Sequence, residues 1–494
     1  MSDCYITLLQ PNPTTGALSD NVAQLNRLLT SVPDVADPQL VVIPIGAIEG
    51  ITGAKALLSQ EIYARYRAYV QLIVAWAQDK TALLLGYWTP QGEKRALFSY
   101  HGAVIDLDLH SVFCWEGLLF SLSENEADAI ALRLDTTSTA AERFQPSTHQ
   151  TMFFVGCAGG EATSIAAGDS GYYSSGESQG LVPWQSGVIQ FVLRGTSSNA
   201  RQIACSYRSA PVYEACADDQ RYEALRAGLR DYVTKAHIRG IVLGLSGGID
   251  SALCLSLAVD AMGASNVKGL LLPSRYTSEE SLQLAGQLAR QLGVQTETLS
   301  IEPLFQSALA TLHPIFGEKP WDLTEENLQA RARAMLLMGV ANKEGRLLLC
   351  TTNKAEAAMG YGTLYGDVTG GYAPIIDLWK HDVQSLCLSR NASSSRPWIP
   401  EAIIYRAPTA ELHEGQLDSD SLPPYHQIAT VIEALLQGSS LEEERRSLGS
   451  EVVDHIVSRF FANAFKRAQG IPGPALSPIA LSQTLPWGIG GRWQ

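Results

Sequence analysis

The 494-residue chain lacks an apolar run near the roughly 20 residues that a helix needs to cross a bilayer. Its opening, MSDCYITLLQPNP, has no basic stretch leading into an apolar one, so a secretory leader is not expected. Cysteine is sparse: eight thiols, without CxxC pairs or zinc-like spacing. That excludes a disulfide framework or a thiolate metal centre as the organising device and fits reduced thiols in a cytoplasm. Basic residues are the minority, 36 Lys and Arg against 50 Asp and Glu, for a net charge of −14. Such a balance argues against sequence-independent nucleic-acid binding, which needs a basic surface. It leaves room for a locally basic cleft that takes phosphate-bearing small molecules. No internal repeat and no GxxxxGK[ST] loop occur.

What is present is apolar material, 46% against 17% charged, enough for large cores. The length predicts two to four domains. Residues 1–200 carry many strand-like runs, among them Tyr5–Leu9, LVVIPIGA, ALLLGYW, FSYHGAVIDLD, VFCWEGLLF, AIALRLD, MFFVGC and VIQFVLR, with helical patterns at 22–29 and 62–78. So many strands with few helices predict a sheet sandwich flanked by helices. A join is expected at 201–217. From 218 onward strand and helix alternate strictly: IVLGL, a helix from Ser251, VKGLLLP, a helix from Ser278, TETLSI, a helix opening at Thr324 with its hydroxyl as cap, and LLLCTT. That order predicts a doubly wound parallel sheet with ligands at the strands' carboxyl ends.

The most informative stretch is IVLGLSGGIDSALCLSLAVDAMG. A buried strand runs through Gly244 into Ser246-Gly247-Gly248 and then into a helix near Ser251. Two glycines let backbone approach a phosphate, and successive N–H groups with the helix N-terminus attract it. Ser246 and Ser251 add hydroxyls, and Asp250 is placed to ligate magnesium on a pyrophosphate. Asn327, Gln329, Arg331 and Arg333 at a helix start concentrate donors and guanidinium forks suited to phosphate.

The SGGxDS loop resembles the PP-loop of N-type ATP pyrophosphatases. With LTEENLQARARAMLLMGVANKEG, LLLCTTNKAEAAMGYGTLYGDVTGGYAPIIDLWK and RAPTAELHEGQLDSDSLPPY, residues 218–470 resemble the NAD synthetase family. The resemblance implies an adenine nucleotide α-hydrolase-like synthetase domain over 218–494. It implies an ATP-binding set of Gly244, Ser246, Gly247, Gly248, Asp250, Ser251 and Ser274 (after Leu272-Pro273), with Asn327, Arg331, Arg333 and Thr351 or Thr352. Asp250 and Glu356 would ligate Mg2+, Asp367 would contact the dinucleotide, and Lys380 would neutralise ATP phosphates. Thr409 would close over the nucleotide from a mobile loop, and Lys466 would lie near the nicotinate end. The implied reaction joins nicotinic acid adenine dinucleotide, ATP and ammonia through an acyl-adenylate, giving NAD, AMP and pyrophosphate. The family also implies a homodimer or larger homo-oligomer.

Residues 1–200 resemble the nitrilase-like domain of glutamine-dependent NAD synthetases, an α-β-β-α sandwich with a Glu-Lys-Cys triad. The triad does not carry over. The position of its glutamate is Ile45, with Glu49 four residues on, and Cys114 is followed by Trp115 rather than an acid. Lys94 lies 20 residues before Cys114, a shorter interval than in the family. Isoleucine cannot take a proton from a thiol. The expectation is therefore a degenerate glutaminase domain with Cys114 buried and inert, and free ammonia as the nitrogen donor. Three readings stay open beside it: glutamine use through Cys114, Lys94 and Glu49; the same chemistry on another carboxylate; or a catalytically inactive binding subunit.

Overall fold

The computed structural model describes residues 3–50, 59–77, 81–123, 129–135, 152–161, 164–174, 177–193, 217–394, 398–477 and 479–481. The chain divides into two compact units, Met1–Glu214 and Ala215–Gln494. Apart from Ala217, the expected join at 201–217 lies outside the described residues.

The first unit has strands β1 (Cys4–Gln10), β2 (Gln39–Ile43), β3 (Thr81–Trp88), β4 (Lys94–Tyr100), β5 (Ala103–Asp108), β6 (Val112–Trp115), β7 (Leu118–Ser121), β8 (Ile130–Leu134), β9 (Met152–Val155), β10 (Ala158–Glu161), β11 (Ser164–Ala167), β12 (Gly171–Ser174), β13 (Glu177–Gly180) and β14 (Gly187–Leu193). Helices α1 (Leu18–Thr30) and α2 (Gln60–Val74) interrupt them. One six-stranded sheet runs β14-β1-β2-β3-β4-β5 and a second β13-β12-β9-β8-β7-β6, with β10 and β11 as a separate pair. Strand alternation builds the layers. Ile6, Leu8, Leu40, Val42 and Leu84 join Phe120, Leu132, Phe153 and Val155 of the second sheet in one core. Their neighbours Leu9, Val41, Ile43, Leu83 and Leu85 face Leu18, Val22, Leu25 and Leu29 of α1 and Tyr66, Val70 and Ile73 of α2.

Two stretches expected as single strands are hairpins. FSYHGAVIDLD turns at His101-Gly102 (φ 50° and 77°) and VFCWEGLLF at Glu116-Gly117 (φ 51° and 78°). Both are two-residue turns of the positive-φ kind that match strand twist. The second turn overturns the expectation for Cys114. On β6, an edge strand, Trp115 takes the inward place, 2% exposed, so Cys114 points out and is exposed.

The second unit holds a parallel sheet β17-β16-β15-β18, from β15 (Ile241–Gly244), β16 (Val267–Leu271), β17 (Gln295–Thr298) and β18 (Leu347–Leu348). Helix α3 (Ala217–Lys235) precedes it, α4 (Ile249–Met262) follows β15 and α5 (Glu279–Leu292) follows β16. The alternation is not strict, because α6 (Glu302–Phe316) and α7 (Leu323–Glu344) both lie between β17 and β18. Nor does Thr324 cap α7. Asp322 does, its carboxylate accepting from Thr324 N at 2.7 Å while Glu325 accepts from Asp322 N at 2.8 Å. Beyond the sheet come α8 (Lys354–Met359), α9 (Lys380–Ala392), α10 (Glu401–Ile404), α11 (Tyr425–Leu436), α12 (Glu442–Leu448), α13 (Ser450–Ala462) and α14 (Ala464–Arg467). No described helix is long and apolar enough to cross a membrane.

Candidate nucleotide and metal site

Strand β15 lies inside the parallel sheet, and the chain leaves it at Gly244 into the phosphate loop. Gly247 sits at φ 78°, and a Cβ there would lie 2.5 Å from the carbonyl oxygen of Ser281, so only glycine fits. Gly248 caps α4. The Ser246 hydroxyl accepts from Gly248 N at 3.2 Å and lies 3.1 Å from the Ser251 hydroxyl, which donates to Gly248 O at 3.0 Å. The loop is thus fixed by its own hydroxyls at the amino end of a 14-residue helix, where N–H groups and the dipole favour an anion.

Asp250, in the first turn of α4, is gripped from two sides. Lys380 Nζ donates to its Oδ2 at 2.5 Å and Asn353 Nδ2 to its Oδ1 at 3.2 Å. Asn353 also caps α8: its side chain accepts from Glu356 N at 3.1 Å, and Glu356 accepts from Asn353 N at 3.2 Å. Glu356 is pushed up to about 8, first by burial and then by the negative charge of Asp250. Burial works against the charge of Lys380, but Asp250 and Glu356 together hold its ammonium above the ordinary lysine range.

Two carboxyl groups and one ammonium therefore share a half-buried place with one positive charge against two acids, an environment that suits a divalent cation. Asp250 and Glu356 would hold it. Among the described residues no group of three or more His, Cys, Asp or Glu could hold a metal alone. An ion here needs phosphate or water oxygens as well, as Mg2+ commonly does.

The alternating set on α7 resolves into two faces, because residues four apart share a helix face and residues two apart do not. On one, Asn327 Oδ1 accepts from the Thr363 hydroxyl at 2.6 Å, and exposed Arg331 donates to Leu364 O at 3.3 Å. Thr363 N in turn donates to both oxygens of Asp367 at 3.1 Å. On the other, Gln329 donates to Leu412 O at 2.9 Å and Arg333 to Leu272 O at 3.1 Å. So Asn327 and Arg331 brace the Asp367 loop, while Arg333 sits under the Leu272-Pro273-Ser274 turn. The two guanidinium groups do not form one phosphate clamp. Lys466, lowered by burial, donates to Gly360 O at 2.7 Å and Gly362 O at 2.8 Å.

Thr352 is buried in the loop between β18 and α8 and accepts from the Cys350 thiol at 3.2 Å, while Thr351 is half-buried. The Thr409 hydroxyl donates to Gln416 O at 2.5 Å and accepts from Glu411 N at 3.2 Å, shaping its own loop. That loop is tied to α5, where Glu411 accepts from the hydroxyls of Ser278 at 2.7 Å and Ser281 at 2.8 Å. Sequence reasoning missed Asn353, within the quoted TTNKAE, and Asp418. Asp418 is buried and accepts from Tyr361 at 3.1 Å and Tyr425 at 2.6 Å, and Lys380 lies over the Tyr425 ring. Asn353 was visible as a helix cap, whereas nothing local in LDSDSL marks Asp418.

In the first unit Ile45 lies in the core between the sheets. Glu49 is 1% exposed, accepts from Gly46 N at 3.2 Å, and burial pushes it up to about 7. Lys94 pairs with Asp135 at 3.0 Å. With Cys114 exposed on its edge strand, no hydrogen bond or ion pair among the described residues joins any two of Glu49, Lys94 and Cys114.

Residues 221–470 match the family model described as NAD synthase. The chain is 45% identical over 268 residues to a glutamine-dependent NAD(+) synthetase of Xanthomonas campestris, covering 54% of this chain and 49% of that protein. It is 42% identical over 268 residues to one of Thermotoga maritima, covering 54% and 46%. The matched segment thus spans about half the length of these curated relatives. A solved glutamine-dependent NAD+ synthetase of Acinetobacter baumannii, in complex with ADP, aligns over 99% of this chain and 98% of its own with TM-score 0.71 and 28% identity. One from Cytophaga hutchinsonii covers 97% and 96% at TM-score 0.77 and 17% identity, a likeness of fold. With half of its length under that family model, the chain belongs to the NAD synthase family.

Proposed function

We propose that the chain catalyses ATP-dependent amidation of nicotinic acid adenine dinucleotide to NAD. The observation that carries this is the half-buried Asp250–Lys380–Asn353–Glu356 constellation behind a glycine phosphate loop. In the first step the nicotinate carboxylate attacks the α-phosphorus of ATP and pyrophosphate leaves. In the second, ammonia attacks the acyl carbon, loses a proton, and AMP leaves with the C–O electron pair. A bound Mg2+ would neutralise phosphate charge. The loop N–H groups orient the phosphates, and Lys380 meets the negative charge of the departing pyrophosphate. The proton that ammonia sheds passes to water, and among the described residues no histidine hydrogen-bonds to Asp250, Glu356 or Lys380.

The nitrogen donor has two readings. Relatives named glutamine-dependent synthetases, with a structural match over nearly the whole chain, favour glutamine over the free ammonia expected from sequence. The second reading, free ammonia, rests on Ile45 in the core and on the lack of any hydrogen bond or ion pair among Glu49, Lys94 and Cys114 in the described residues. The purified chain with the dinucleotide acid, ATP and Mg2+ is to be assayed for NAD with ammonium or glutamine. Product from glutamine at rates near those with ammonium supports the first reading, and product from ammonium alone the second. No amidated product from either overturns the proposal.

A further inference from the structure

Directly beside the metal-binding acids lies a buried ion pair that the proposed reaction does not use. Lys354 and Asp377 have side chains only 3% and 0% exposed, with Nζ 2.8 Å from Oδ1. Lys354 also donates to the Ser477 hydroxyl at 2.7 Å and to Ile479 O at 3.3 Å, and lies 5.2 Å from the centre of the Trp379 ring. Asp377 accepts further from Leu476 N at 2.7 Å, Ser477 N at 2.6 Å and the Ser477 hydroxyl at 2.8 Å. Every polar atom of the pair is thus taken up, as a buried pair requires if it is not to cost more than it returns. The placement is specific. Lys354 stands one residue after Asn353 and two before Glu356, while Asp377 stands three before Lys380. Backbone joins the same two segments, Lys354 N donating to Leu378 O at 2.9 Å. The third partner comes from residues 471–477, which are also tied down through Ala373 N donating to Pro472 O at 2.9 Å.

We propose that the Lys354–Asp377 pair, closed by Ser477, is a positioning device that fixes the Glu356 helix against the Lys380 helix and so sets the metal site. This rests on the proposed function above. Lys354, Asp377 and Ser477 touch no substrate in it; they act through Asn353, Glu356 and Lys380. Residues that orient metal ligands from behind typically alter metal affinity or activity by about 10–100-fold when replaced.

The test compares Ser477→Ala, Asp377→Asn and Lys354→Met with the unmodified full chain, well below each variant's melting temperature. Calorimetric binding of Mg2+-ATP is measured together with the Mg2+ concentration that half-activates AMP release. Ser477→Ala is the mild variant, expected to fold normally and to need roughly 3- to 10-fold more Mg2+, with Lys354→Met exceeding it. An unchanged Mg2+ requirement and Mg2+-ATP affinity, with only a lower melting temperature, would make the pair merely structural and overturn the proposal. If Lys354→Met does not fold, Ser477→Ala and Asp377→Asn decide. Absence of AMP release from the unmodified chain counts against the proposed function instead, and the calorimetric comparison still judges the device.

Discussion

Two acids, Glu356 and Glu49, show how far a single residue's chemistry depends on what surrounds it. Glu356 and Glu49 are both raised by burial, to about 8 and about 7. Glu356 has a lysine and a second carboxyl for company, whereas Glu49 has backbone N–H groups and the Tyr66 hydroxyl but no cation. In the unfolded chain Glu49 titrates near 4.5. Between about pH 4.5 and 7 the folded state therefore keeps a proton that the unfolded state has released, and stability falls as pH rises through that window. Glu49→Gln should remove this loss, so its stability advantage should grow from little at pH 4.5 to as much as about 3 kcal/mol at pH 8. Urea unfolding at the two pH values measures it, and a gap that does not change with pH contradicts the assignment. At Lys380 the prediction is catalytic. Lys380→Met strands Asp250 and Glu356 without their cation, and AMP formation should fall roughly 100- to 1000-fold. Single-turnover release of AMP at saturating ATP is the measurement, with binding followed separately. Asp250, Glu356 and Lys380 were legible as residues because their motifs are local in sequence. Asp418 was not, since its value comes from tyrosines 57 residues before and 7 residues after it.

The elements explain what periodicity delivered and what it hid. Apolar spacing located α1, α4 and α5 well, because each buries a face or the whole helix. It merged β4 with β5 and β6 with β7, because a two-residue turn scarcely interrupts an apolar run; His101-Gly102 and Glu116-Gly117 were the available signals. On α7 the sequence offered four polar residues two apart as one cluster, and the helix sends them to two different loops. That division gives a prediction. Arg333→Met, under the Leu272-Pro273-Ser274 turn, should raise the KM for ATP by about 10-fold and leave the KM for the dinucleotide acid nearly unchanged. Arg331→Met should do the reverse, since its partner Leu364 belongs to the Asp367 loop. Each arginine offers one hydrogen bond to a carbonyl, worth on the order of 1–3 kcal/mol with a charged donor, which sets the scale. Steady-state kinetics with each substrate varied in turn would show it, and equal effects of both variants on both constants would contradict the two-face division.

For the whole molecule, the sequence divided the chain into a sandwich and a parallel-sheet unit, which is the class observed. Its expectation that Cys114 is buried went astray, because inside and outside depend on strand phase rather than on the residue's own polarity. The exposed position makes a direct prediction: Cys114→Ala should leave NAD formation unchanged within about 2-fold with either nitrogen donor. A selective loss of glutamine-driven turnover in that variant would restore Cys114 as a nucleophile. The Ser477 closure has a consequence in time. A ribosome delivers Lys380 nearly a hundred residues before Ser477, a delay of roughly 5–20 s at ordinary elongation rates. Through that interval the nascent chain carries Asp250, Glu356 and Lys380 but not the hydroxyl that closes the pair beneath them, so ligase competence would be among the last properties to emerge during synthesis.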